Sequence, residues 1–167
     1  MTIRVKQSLL ALLLFVIMLS IIPLTASAAS KSVTVGSLVV TTTHEEGLIE
    51  DVDYSIEDRT YDRLVLTTSK SVTIKMKEGK DIAYNSIVIN NVGGVTSSNI
   101  TFSNLNLKSK TNDSVISVWN SEKAPFDVKL TFKGENTLNS NHSTCAAINA
   151  GTGNVTVKGG TVITNSN

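Results

Sequence analysis

The chain has 167 residues, 41% of them hydrophobic, 17% charged and 5% aromatic, with 2 Pro, 10 Gly and 1 Cys. One domain is the prior, and a disulfide scaffold, a collagen and a disordered chain are all excluded. Ser, Thr and Asn number 20, 20 and 15, a supply that suits the outward faces and turns of a β protein better than helices. The formal charge of +1 becomes −1 once Arg4 and Lys6 are set aside, so no electrostatic footprint for nucleic acid is present.

Residues 1 to 28 read as a secretory leader. Arg4 and Lys6 form its positive start, Leu9 to Ile22 an apolar run broken by Ser20, and Ala26-Ser27-Ala28 a small-residue cleavage site. The apolar run is shorter than the roughly 20 residues a membrane-spanning helix needs. Cleavage after Ala28 is expected, with no membrane association afterwards. The single Cys145 lies far from that point, which argues against lipid attachment, and without a disulfide partner it suits a Gram-positive route of secretion.

Residues 29 to 70 are expected to form an N-terminal cap. Val33-Thr34-Val35 and Leu38-Val39-Val40 read as strands, and residues 45 to 63 hold eight acids: Glu45, Glu46, Glu50, Asp51, Asp53, Glu57, Asp58 and Asp62. From residue 71 to 167 the chain repeats. Val72-Thr-Ile-Lys75, Ile100-Thr-Phe-Ser103, Leu130-Thr-Phe-Lys133 and Val155-Thr-Val-Lys158 share one alternating pattern, with starts separated by 28, 30 and 25 residues. Ile87/Ile89, Ile116/Val118 and Ala146/Ile148 form a second strand of the repeat. Leu105-Asn-Leu107, Asn136-Thr-Leu138 and Thr161-Val-Ile163 form a third.

Short strands recurring every 25 to 30 residues, with no helical segment between them, predict a short right-handed parallel β-helix with a polar N-terminal cap. A β-sandwich of hairpins would not require the repeat, and the strong hairpin dipeptides Asn-Gly and Asp-Gly are absent. The last coil is expected to expose an open edge after Thr161 to Thr164, inviting end-to-end self-association or signalling a truncated piece of a larger surface protein.

From about Asp51 onward the chain resembles the right-handed parallel β-helix modules of secreted and cell-surface proteins of Firmicutes, described as carbohydrate-binding or adhesin-like. The resemblance rests on Asp53-Tyr54 leading into Arg63-Leu-Val-Leu66, on Val72 to Lys75, on Ser98 to Leu107, on Leu130 to Leu138 and on Ala146 to Gly160. It implies a secreted binding or adhesion module with a polysaccharide or host-surface glycan as partner. No sorting motif accompanies it.

Candidate ligand-binding residues are Lys75, Lys129, Thr131, Lys133 and Lys158, which alternation places on an outward, hydrogen-bonding face with Thr73, Thr101, Ser103 and Thr156. Trp119 joins them as an outward indole able to stack on a sugar ring. A solvent-facing strand selects Thr and Lys in any case, and Trp119, Tyr84 and Phe126 equally suit the plugging of solenoid corners. Lysine in three of the four repeats breaks the flat hydroxyl face that ice binding would need. The acidic stretch is the place to look for Ca²⁺, but Asp51-x-Asp53 lacks an EF-hand template and no cofactor is expected. Polysaccharide lyases share this architecture, yet Arg59 and Arg63 both precede the repeat. No paired carboxylates of glycosidase type recur from coil to coil, and His44 and His142 have no partners at catalytic spacing. Catalysis is not expected. Cys145 reads as a core residue opening an inward-facing strand.

Overall fold

The computed structural model describes residues 31–57, 62–110 and 112–166. Residues 1 to 28, expected to be a secretory leader, and Arg59 lie outside the described residues. The chain is nearly all β, wound into a solenoid of about three turns. Among the described residues the strands are β1 (Ser32–Val35), β2 (Leu38–Thr42), β3 (Tyr54–Glu57), β4 (Arg63–Leu66), β5 (Val72–Met76), β6 (Ile87–Asn90), β7 (Ser97–Ser103), β8 (Asn106–Lys108), β9 (Ile116–Trp119), β10 (Asp127–Lys133), β11 (Glu135–Ser140), β12 (Ile148–Asn149), β13 (Asn154–Lys158) and β14 (Thr161–Ser166).

From β6 onward each turn of chain visits three sheets in the order five-stranded, six-stranded, three-stranded, while the first turn, β4 and β5, meets the third side only at the Ala83–Leu107 bridge. The six-stranded sheet runs β1-β2-β5-β7-β10-β13, the three-stranded sheet β14-β11-β8, and the five-stranded sheet β12-β9-β6-β4-β3. Equivalent strands of successive coils pair in parallel, as β5 with β7, β7 with β10 and β10 with β13. Like residues therefore stack. Ile74 lies beside Phe102 and Phe102 beside Phe132, the two rings 5.1 Å apart between centroids and 29° from coplanar. Burying one such side chain stabilises by about 1.5–3 kcal/mol, and the column of Ile74, Ile100, Phe102, Leu130 and Phe132, each at most 1% exposed, is the centre of the core.

Polar groups enter the stack only where they find partners. Asn136 is fully buried; its Oδ1 accepts the Leu105 amide at 3.1 Å, and its Nδ2 donates to the carbonyls of Lys133 and Gly134 at 3.2 and 3.3 Å. Among the described residues no buried side-chain nitrogen or oxygen lacks a partner.

The cap is built from two antiparallel hairpins. β1 and β2 are joined by Gly36-Ser37, with Gly36 at φ 56°, and β2 lies antiparallel along β5. Gly-Ser is a hairpin turn that needs no Asn-Gly, so the missing dipeptides did not exclude hairpins here. β3 pairs antiparallel with β4, and β4 in turn pairs in parallel with β6. The acidic stretch thus contains an edge strand and the first strand of the coiled column, rather than being polar covering alone.

The later coils depart from the pattern expected of them by two residues. Ile148 stacks on Ile116, in place of Ala146, and β13 pairs Val155 with Val128 and Lys158 with Thr131. The slip lets Ile148, rather than the smaller Ala146, cover Ile116. Gly159 and Gly160, both at φ 67°, then lie against the Phe132 carbonyl, and β14 pairs with β11 one residue off the expected match, with Thr161 beside Glu135 and Val162, in place of Thr161, beside Asn136. Cys145 consequently falls in the turn before β12, half-buried, with Sγ 2.9 Å from the Asn112 carbonyl oxygen. It is not a core residue.

Candidate ligand-binding face

The outward face of the six-stranded sheet follows from alternation plus register. Each strand turns its apolar residues inward, so the intervening residues must face out, and ladder pairing brings them into rows. One row crosses all six strands: Ser32, Thr41, Thr73, Thr101, Thr131 and Lys158. Beside it run Thr34, Val39, Lys75, Ser103 and Lys133, and on the other flank Asn99, Lys129 and Thr156.

Sequence matching alone sets Thr156 beside Thr131 and Lys158 beside Lys133. The two-residue slip instead puts Lys158 beside Thr131 and Thr156 beside Lys129. With strands about 4.8 Å apart and a rise of about 3.3 Å per residue, Lys75, Lys133, Lys158 and Lys129 form a zigzag whose backbone steps are on the order of 8–10 Å. All four are exposed. Asp127 is the one acid on the six strands, and its Oδ1 accepts from Asn154 Nδ2 at 3.0 Å. Asn99, Asp127, Lys129, Asn154, Thr156 and Lys158 line a shallow cavity of about 310 Å³ at this end of the face.

Trp119 belongs to the neighbouring sheet. It ends β9, is 42% exposed, and is joined to Asp127, the first residue of β10, by the turn of residues 120 to 126. It therefore stands at the corner between the five-stranded and six-stranded sheets, apart from the lysine rows. With Ser121, Gly151 and Thr152 it borders a hollow of about 270 Å³. The corner is braced from within. Asn91 Nδ2 donates to Asn120 Oδ1, Asn120 Nδ2 donates to the Ala124 carbonyl at 2.9 Å, and the Glu122 carboxylate accepts the amides of Gly93 and Gly94. Phe126, 1% exposed, is the aromatic that plugs it. Tyr84 is exposed, with Lys110 Nζ 5.5 Å from its ring centroid.

A cavity of about 600 Å³ opens between the cap and the turn after β6, with Asp51, Asp53, Val65, Thr67 and Val92 in its wall. Asp53 is the carboxylate a Ca²⁺ site here would need. Its oxygens already accept from Lys70 Nζ at 2.6 Å, Thr68 Oγ1 at 2.7 Å and the Ile49 amide at 2.9 Å. Burial pushes this carboxyl up, and these hydrogen bonds, with the Lys70 charge, outweigh burial and hold it below the usual carboxylate range. The role of Asp53 is to tie the cap loop to the β4–β5 turn.

The residues considered for catalysis are scattered. Arg63 Nη2 is bound by Asp113, and its Nη1 lies 3.9 Å from Glu57. His142 Nδ1 is within 2.7 Å of Thr144 Oγ1 in its own turn, and His44 sits in the β2–β3 loop, its amide donating to Thr42 Oγ1 at 3.2 Å. Sequence reading missed Ser32, Thr41 and Asn99 as members of the outward rows. The alternation of β1 and β2 was visible, but nothing local said that their hairpin would extend the same sheet.

Comparison with known protein families, with curated proteins and with solved structures finds no match to this chain.

Proposed function

We propose that the chain is a secreted or surface-exposed binding module, without catalytic activity, that holds a polysaccharide on the outward face of its six-stranded sheet. The observation that carries this reading is the in-register row of hydroxyls that ends in Lys158 and is flanked by the exposed Lys75, Lys133 and Lys129. Hydroxyl and ammonium donors at a fixed pitch suit a polymer that repeats its own acceptors, and the excess of lysine over acid favours an anionic polysaccharide. The leader-like residues 1 to 28 and the resemblance to β-helix modules of Firmicutes support placement outside a Gram-positive cell. Trp119, at the adjoining corner, is the stacking position at the margin of the same ligand.

Affinity electrophoresis through gels containing a uronic-acid polysaccharide or a neutral glucan tests the reading. Retardation is expected in the anionic gel and should weaken with added salt. Replacing Lys129, Lys133 and Lys158 together by Ala should weaken binding about tenfold or more, since each exposed ion pair contributes about 0.2–1 kcal/mol. Trp119→Ala should lower affinity without altering the salt dependence. Equal retardation of wild type and triple variant, each measured against its own mobility in a gel without polysaccharide, would sink the proposal.

A further inference from the structure

The cavity of about 600 Å³ beside the cap differs in kind from the lysine face, and its size falls within the range of about 300–1,000 Å³ typical of small-molecule sites. Its floor is the outward side of the five-stranded sheet, where Ser55 of β3 lies beside Val65 of β4. The cap loop, with Asp51 and Val52, forms one wall, and the turn after β6, with Val92 and Val95, forms the other. Val52 is 62% and Val92 46% exposed, so both walls offer apolar surface.

Asn90, the last residue of β6, lines this cavity and is only 7% exposed. Its Oδ1 accepts the amides of Asn91 at 2.9 Å and Ser121 at 3.4 Å, which fixes the orientation of the side-chain amide. Its Nδ2 has no partner among the described residues. Every fully enclosed side-chain nitrogen or oxygen among them does have one, so Nδ2 opens onto the cavity that Asn90 lines. An amide donor so nearly buried and left unpaired carries a desolvation cost that a ligand acceptor would relieve. The charge around it is of one sign. Asp53 is held by Lys70, Asp51 has no side-chain partner among the described residues, and Glu57 lies 3.9 Å from Arg63 Nη1. Among the described residues no Lys, Arg or His lines the cavity.

We propose that this cavity is a second binding site, separate from the lysine face, and that it takes a hexosamine, a sugar ring carrying a free amine. The ammonium pairs with the Asp51 carboxylate, a ring hydroxyl accepts from Asn90 Nδ2, and the C–H faces of the ring lie against Val52 and Val92. Each part of the cavity excludes a different alternative. A plain alkylamine offers Asn90 no acceptor, because an ammonium group only donates. A neutral sugar leaves the carboxylates without a counter-charge, and a uronate brings a like charge to them. The cavity therefore selects against the anionic polymer that suits the lysine face.

Isothermal titration calorimetry of the purified full chain with oligomers of glucosamine, glucose and galacturonate tests this. The glucosamine oligomer should bind about tenfold or more tighter than the glucose oligomer, since it adds a charge-assisted hydrogen bond. Its addition should shift the Asn90 side-chain amide signals in ¹⁵N-resolved NMR spectra, and the galacturonate oligomer should leave them in place. Asp51→Asn, a change suited to the φ of 64° at that position, should shrink the preference for glucosamine over glucose. Ser55→Phe fills the floor and should abolish binding of both, with circular dichroism showing the chain still folded. No binding of the glucosamine oligomer overturns the proposal. Unmoved Asn90 signals, equal affinity for the glucosamine and glucose oligomers, or an unchanged preference in Asp51→Asn overturns it as well. Replacing Lys129, Lys133 and Lys158 by Ala should leave glucosamine binding as in the wild type. Retardation in the uronic-acid gel is read on those lysines and on a different ligand, so either proposal can fail without the other.

Discussion

Asp53 shows how much of the cap depends on single side chains. Its lowered pKa means that the folded state binds the Asp53 proton less readily than the unfolded chain does. The stabilisation is therefore present above the ordinary Asp value of about 3.9 and is lost as pH falls through the folded value. Asp53→Asn, which leaves Lys70 partly buried without its counter-charge, should cost about 2–3 kcal/mol at pH 7 and remove this component of the acid sensitivity. Urea denaturation at pH 3 to 7 reads both effects. Asn136 makes a similar case without charge. Asn136→Ala leaves the Leu105 amide without its acceptor and should cost about 1–3 kcal/mol in the same assay.

At the scale of the element, the parity of every repeat strand but β14 was legible, and the register was not; β14 pairs Val162 with Asn136 and Thr164 with Leu138, so Val162 packs against the core and Ile163, expected beside Leu138, is 41% exposed. The apolar-Thr-apolar pattern correctly turned Val72, Ile74, Ile100, Phe102, Leu130 and Phe132 inward, and all are at most 1% exposed. The same pattern could not place β12 and β13, because shifting a strand by two residues leaves every side chain on its original face. Volume broke the tie at Ile148. The turn that follows β13 absorbs the slip at Gly159-Gly160, where a Cβ on Gly160 would stand 2.7 Å from the Phe132 carbonyl carbon. Gly160→Ala should therefore cost more than the roughly 1–2 kcal/mol of a left-handed backbone alone and loosen β14, visible as a lower melting temperature and faster amide exchange over residues 161 to 166. Phe102→Ala, which empties the centre of the aromatic stack, should cost about 3–5 kcal/mol.

Across the whole molecule, stability is a sum over coils and their contacts with immediate neighbours. Among the described residues β7 and β10 are each flanked on both sides, whereas β13 has only β10 and β14 only β11. Amide exchange should therefore be slowest in β7 and β10 and fastest in β13 and β14. Equal protection along the axis would mean that the last coil is as stable as the interior ones.

The sequence by itself determined the strands, the coiled repeat and, for the repeat strands other than β14, the inward or outward direction of their residues. All of these follow from local alternation and from self-similarity along the chain. Only the tertiary structure decided which outward residues become neighbours. It carried the hydroxyl row into the cap through Thr41 and Ser32, moved Lys158 beside Thr131, and set Trp119 on a different sheet from the lysines. Those outcomes depend on strand register and on the path of the turns. Both are fixed by side-chain volume and close packing between coils, which a period of two along a single strand does not encode.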